Sequence, residues 1–263
     1  MGTATVYGRL WGARATDWAD CQEAAVRPCY EHALAELAPV AGTNLLDVGC
    51  GSGVFASLAW RNGAVVTGID AAERMLAIAK GRVPDAEFQV AEMEELPYAD
   101  DSFDIATGFN SFQYAADPIH AMAEAARVVR PGGRVLRMTW GRADQVEAVA
   151  YTAALGSLLP PPPPGTPGPH GLAEPGALED ILAKAGLEPG ERHEVACPWV
   201  YPDEETAMRG LMSSGPAARA IEHSGLDAVI ATVAGALRPF RQDDGSYVMH
   251  NTFHYVIATV PGE

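Results

Sequence analysis

The chain has 263 residues, 48% of them hydrophobic, and a formal net charge of −16, enough for one large α/β domain with insertions. Nucleic-acid binding rests on clustered cations meeting phosphates, and no block of Lys or Arg stands out, so nucleic acids and anionic membranes are not expected partners. No apolar run approaches the roughly 20 residues that cross a bilayer, and the first residues lack the charged-then-apolar plan of a signal peptide, so a cytoplasmic protein is expected. The cysteines Cys21, Cys29, Cys50 and Cys197 form no C-x-x-C pair; they are expected as reduced thiols, with no metal site.

Residues 1–40 read as an aromatic arm followed by helix, with Thr16 or Asp17 as cap and Pro39 ending a run that contains Ala33, Leu34 and Leu37. From Gly42 onward strand-like and helical patterns alternate. Strands are expected at 44–48, 64–70, 87–91, 103–110 and 134–140, and helices at 54–61, 72–81 and 118–130. Pro131-Gly132-Gly133 should stop the last helix just before a new strand. Such alternation implies a parallel sheet with helices on both faces.

After Trp140 the rhythm changes. Residues 160–164 are consecutive prolines and the Pro/Gly-rich stretch runs on to Gly176, which suits a semi-rigid loop over the sheet edge. Helix resumes at 177–185, and a strand-like run follows at about 193–201. Residues 203–241 are mostly helical, with breaks near 213–216 and around Gly225. A last strand covers 247–260.

The segment Leu45-Leu46-Asp47-Val48-Gly49-Cys50-Gly51-Ser52-Gly53 carries the most chemistry. A buried strand turns sharply into a helix through three glycines, whose missing β-carbons let a ligand approach the backbone, and the helix presents unpaired N–H groups there. In an open parallel sheet, ligands bind beyond the C-terminal strand ends near this switch point. The second strand ends in Gly68-Ile69-Asp70; a carboxylate there can accept both hydroxyls of a ribose, or serve as N-cap for the next helix. The third leads into Ala91-Glu92-Met93, where Glu92 can take an adenine amine and the Met93 N–H a ring nitrogen; alternatively Glu92, Glu94 and Glu95 form a solvated acidic face. The fourth ends at Gly108-Phe109-Asn110-Ser111, beside the ligand's amino-acid portion. A nicotinamide-binding dehydrogenase shares the strand–turn–helix plan, but its third small residue would fall at Val54 and Asp47 is foreign to it.

From about Leu45 to Leu136 these motifs (LLDVGCGSG, then GID, then AEMEELPYADDSFDIA, then ARVVRPGGRVL) resemble the class I S-adenosylmethionine-dependent methyltransferases, in the small-molecule branch that includes quinone and sterol enzymes. The resemblance implies a Rossmann-like α/β fold with a seven-stranded sheet of order 3-2-1-4-5-7-6, its last strand antiparallel, helices on both faces and a helical cap. It implies S-adenosylmethionine as cofactor. Asp47, Gly49, Gly51 and Gly53 would surround the methionine moiety, Asp70 would hold the ribose, and Ala71 and Met75 would pack on the adenine. Glu92 stands where this branch usually has Asp, and Met93 where a small residue is frequent; Asn110 completes the donor set. The implied division is a helical arm or lid at 1–40, a core at 41–202 with 242–263, and a helical insertion at 203–241 capping the acceptor site.

Methyl transfer from a sulfonium is an in-line displacement that needs alignment and exclusion of water, and a general base only where the nucleophile must lose a proton. The candidates for that base are His170 in the Pro/Gly loop, His223 in the insertion and His250 near the start of the last strand, which shares a face with His254; His120 reads as a surface or structural residue. Tyr7, Trp11, Gln113 and Trp140 are the candidate acceptor-binding residues, with Trp18, Phe112, Tyr114 and Trp199 as further aromatics that can equally be core. So many aromatics suit a flat or hydrophobic small molecule. The remaining alternatives are a donor-binding protein without transferase activity, and one that uses the cofactor for cyclisation or decarboxylation.

Overall fold

The computed structural model describes residues 2–161 and 170–262. The chain opens with helices α1 (Ala4–Gly12), α2 (Ala15–Cys21) and α3 (Arg27–Leu37), then alternates through β1 (Asn44–Val48), α4 (Val54–Arg61), β2 (Val65–Asp70), α5 (Glu73–Arg82), β3 (Glu87–Val90), β4 (Phe103–Phe109), α6 (Pro118–Val128) and β5 (Val129–Trp140). There follow α7 (Val149–Gly156), α8 (Ala177–Lys184), β6 (Glu188–Ala196), β7 (Trp199–Tyr201), α9 (Glu204–Met212), α10 (Gly215–Ser224), α11 (Leu226–Leu237), β8 (Tyr247–Met249) and β9 (Thr252–Thr259).

The main sheet has the order β3-β2-β1-β4-β5-β9-β6, and β9 runs antiparallel to both β5 and β6. Numbered within the sheet alone, this is the expected 3-2-1-4-5-7-6 order. Its central strands β1 and β4 are buried on both faces because helices cover both. Leu45, Ile105 and Leu136 pack with α3 and α4 on one side, and Leu46, Ala106 and Val135 with α6 and α8 on the other.

Several boundaries differ from expectation for identifiable reasons. Pro131-Gly132-Gly133 does not precede β5 but lies within it, as an irregularity where pairing jumps from Phe103↔Val129 to Ile105↔Arg134. The strand expected at 193–201 is two, β6 in the main sheet and β7 paired only with β8; Pro198, without an N–H, lies between them. The last strand is likewise broken. Asn251 accepts the Ala148 N–H at 2.9 Å and donates to the Met249 carbonyl at 3.1 Å, which diverts the chain between β8 and β9.

Thr16 and Asp17 cap nothing. The arm is already helical from Ala4, both residues lie inside α2, and the Asp17 carboxylate pairs with Arg209 of α9 at 2.8 Å, tying arm to cap. The cap itself breaks where expected, at Ser213-Ser214 and at Gly225. Asp203 accepts the Thr206 N–H at 2.7 Å to start α9, and Ser214 accepts the Ala217 N–H at 3.1 Å to start α10. Helix α7 packs against α11, so the cap draws on chain before residue 203 as well. Most of the expected Pro/Gly loop, residues 162–169, lies outside the described residues.

Candidate active site

The turn after β1 sets the site. Gly49 and Gly51 have φ of 73° and 56°, the left-handed region that favours glycine. A β-carbon at Gly49 would also lie 2.4 Å from that of Ser111. The backbone donors of the turn are all occupied. Gly49 and Cys50 N–H donate to the Ile69 carbonyl at 2.8 and 2.9 Å, and Gly53 N–H to Cys50 at 3.0 Å. Gly51 N–H donates to Asp70 Oδ2 at 2.9 Å, and Ser52 N–H to Glu23 Oε1 at 3.1 Å.

Asp70 is half-buried at the cavity wall, and desolvation raises its pKa against the pull of the backbone donors. Its Oδ1 accepts the Ala72 N–H at 2.7 Å, so the helix-capping role and a ligand-facing position coexist. Each oxygen keeps a lone pair for a ribose hydroxyl. Glu92 accepts the Ala4 N–H at 2.9 Å, which places the start of α1 over the segment after β3. Glu94 is no solvated face: it accepts the Ala116 and Asp117 N–H groups at 3.0 and 2.8 Å. Asp47 is turned away from the turn and accepts from Thr107 Oγ1 at 2.9 Å; burial pushes its carboxyl up to about 7.

A cavity of about 360 Å³ runs from this turn into the cap. At the donor end it is lined by Gly49, Gly51, Asp70, Ala71, Met75, Met93 and Asn110; beyond them come Tyr7, Trp11 and Trp18 of the arm, Gln113 and Tyr114 of the loop after β4, and Trp140. All four candidate acceptor residues are thus brought to one space. A narrow extension of about 30 Å³ carries Glu92 with Thr3, Ala4 and Tyr114. Asp47 and Gly53 line neither space; Gly53 instead packs on Ala79 of α5. Phe112 is buried in the core.

The far wall holds residues that spacing does not single out: Tyr151 and Leu155 of α7, Leu211 and Ser214 of the cap, and Phe253 of β9, beside Trp199. Tyr151 donates to the Leu211 carbonyl at 2.7 Å and meets Ser214 Oγ at 2.6 Å, which fixes the cap over the sheet. Among the described residues, Asn110 Oδ1, Ser111 Oγ, Gln113 Oε1 and Trp199 Nε1 are buried with no hydrogen-bond partner. Glu23 was also not foreseen; it lies 3% exposed against the turn, and burial pushes its carboxyl up to about 8 against the opposing pull of Arg82 and the backbone N–H groups.

None of the three histidine candidates lines the cavity. His170 stands behind Trp140, ring centroids 6.0 Å apart, with Nδ1 2.9 Å from the Gly141 carbonyl. His223 is held 2.9 Å from the Leu158 carbonyl. His250 is exposed, and its backbone N–H donates to Glu147. The neighbouring His254 is buried on β9, with Nε2 3.1 Å from Gln145 Oε1.

The sheet order, the glycine turn and the acid after β2 are those that the resemblance to class I S-adenosylmethionine-dependent methyltransferases implies. Residues 46–136 match the family described as a methyltransferase domain. Over 158 residues it is 34% identical to the ubiquinone biosynthesis O-methyltransferase of Rhizobium leguminosarum bv. trifolii, covering 59% of this chain and 62% of that one. Over 146 residues it is 37% identical to the 27-O-demethylrifamycin SV methyltransferase of Amycolatopsis mediterranei, covering 50% and 53%. The chain thus spans less than two thirds of the length of these relatives. The fold is also that of the [4+2]-cyclase SpnF, with a TM-score of 0.58 at 23% identity, over 89% of this chain and 81% of that one. Among the described residues, no helix is long and apolar enough to cross a membrane.

Proposed function

We propose that the chain transfers a methyl group from S-adenosylmethionine to an oxygen, nitrogen or carbon of a small, mainly apolar acceptor. One observation carries this: a single cavity joins the donor residues Gly49, Asp70, Ala71 and Met75 to a chamber walled by Trp140, Tyr151, Trp199 and Phe253. The donor fits the residues present, since the glycine backbone is bare, Asp70 lies at the cavity wall, and a slot beside Met93 continues to Glu92. When bound, it supplies an already activated methyl group.

The chain's own work is positional. Asp70 anchors the ribose, with charge-assisted bonds worth about 1.5–3 kcal/mol each. Helix α1 covers the adenine end, and the aromatic walls exclude water and hold the acceptor in line, a geometry worth up to about 7–11 kcal/mol of barrier in favourable cases. Buried groups left unpaired cost about 1–3 kcal/mol each, so Gln113 Oε1 and Trp199 Nε1–H favour an acceptor that carries both a hydroxyl or amine and a carbonyl. Among the described residues the chamber is lined by no histidine or lysine and by no carboxylate beyond Asp70, which favours an acceptor whose nucleophile is already acidic or neutral enough to react by alignment alone.

The same lining favours one second reading, non-methyl chemistry such as cyclisation, in which an enclosed apolar chamber orients a single substrate. Incubation with methyl-labelled S-adenosylmethionine and a panel of hydroxyquinones, acidic phenols and amines separates the two. The proposal expects labelled product; an altered but unlabelled product supports the second reading instead.

A further inference from the structure

Glu23 lies on the short turn Glu23–Val26 that joins α2 to α3. Its Oε1 accepts the Ser52 N–H at 3.1 Å. Its Oε2 takes the Ser52 hydroxyl and pairs with Arg82 at 3.2 Å. Arg82, at the end of α5, also donates to the Ser52 carbonyl at 3.1 Å and to the Ala19 carbonyl at 3.2 Å. The Val54 N–H, first in α4, is directed at the same carboxyl.

A glycine turn feeding a helix N-terminus is a general anion site, because its N–H groups are free and the helix dipole favours negative charge. Dinucleotide-binding folds place a pyrophosphate there. In this chain every N–H from Gly49 to Gly53 already has a protein acceptor. The Glu23 oxygen that takes the Ser52 N–H would also stand 2.8 Å from a β-carbon at Gly51.

We propose that Glu23, which lies behind the glycine turn rather than in the cavity itself, is a specificity-determining residue: its carboxyl fills the anion site of the turn, so that the pocket admits a phosphate-free adenosine donor and turns away nucleoside diphosphates and dinucleotides. What is admitted rests on the donor reading above; what is turned away does not. The residue comes from the arm, so the exclusion holds only while the arm is docked.

Inorganic pyrophosphate is the direct probe. It should leave the melting temperature of the wild type unchanged and raise that of Glu23→Ala, in which the Ser52 N–H and the Arg82 guanidinium lose their partner. Glu23→Gln, which keeps an oxygen for the Ser52 N–H, and the double variant Glu23→Ala with Arg82→Met should show no such rise. Glu23→Ser replaces Glu23→Ala if the alanine variant does not fold. A rise missing from the opened variant, or equal in the wild type, overturns the proposal. Failure of the wild type to bind S-adenosylmethionine in calorimetry overturns the donor reading instead and leaves the pyrophosphate comparison standing.

Discussion

Asp47 and Glu23 are two carboxyls buried within the sheet and turn, and their chemistry makes the chain's stability run against the usual direction with pH. Both are held above the ordinary carboxyl range, at about 7 and about 8, chiefly by burial. A folded-state value above the unfolded one means that folding favours the protonated form, so this stabilisation is full below about pH 4 and is lost as pH rises through 7 and 8. Asp104, Glu124 and Glu179 act oppositely: Arg130, Arg127 and Arg192 hold their values down, and their contribution is lost in acid. The melting temperature should therefore peak in mild acid and decline toward pH 8, with the decline flattened in Asp47→Asn; a wild-type profile flat from about pH 5 to 8 contradicts this. Arg137 offers a second residue-scale test. It is fully buried on β5, burial pulls its pKa down to about 10, and none of its side-chain nitrogens has a hydrogen-bond partner among the described residues. An unpaired buried charge destabilises, so Arg137→Met should raise stability by about 1–3 kcal/mol in denaturant unfolding. A loss would mean that the guanidinium is needed.

At the scale of elements, the strands of the core and the helices of 203–241 were legible, and the residues that wall the cavity were not. Strands β1 and β4 announce themselves through apolar runs ended by a glycine turn or by Asn110, because both are central and buried on both faces, whereas the edge strand β3, largely exposed, shows no such run. The glycine turn was legible for a related reason: a turn that needs positive φ can be written almost only with glycine. Glu23, Tyr151 and Phe253 had no such signal, since a lone carboxyl on an arm or a tyrosine on a helix becomes part of a site only when distant elements meet. The histidines show the converse. Their chemistry drew attention to them, but Gly141, Leu158 and Glu147 hold them outside the cavity. The arm can be tested as an element. Gly8 of α1 lies so close to Ala71 that a β-carbon would come within 2.1 Å of its carbonyl oxygen, so Gly8→Val should lift α1 from the donor end. The expected result is faster hydrogen exchange across residues 4–12 and a donor affinity lowered about tenfold. Unchanged exchange and affinity would show that α1 does not close the site.

Across the whole molecule, two polypeptide segments far apart in sequence converge on one cavity. The arm supplies Tyr7, Trp11 and Trp18, the cap supplies Leu211 and Ser214, and Asp17 joins the two through Arg209. The sheet provides the floor and the glycine turn; arm and cap provide the walls. The account stands or falls on the donor end of that cavity. Calorimetric titration of S-adenosylmethionine into the wild type and Asp70→Ala tests it most directly. The expected result is saturable one-site binding by the wild type and an affinity at least about tenfold weaker, or roughly 1.4 kcal/mol, in a variant that keeps its fold. Equal affinities, or no binding by the wild type, would contradict it.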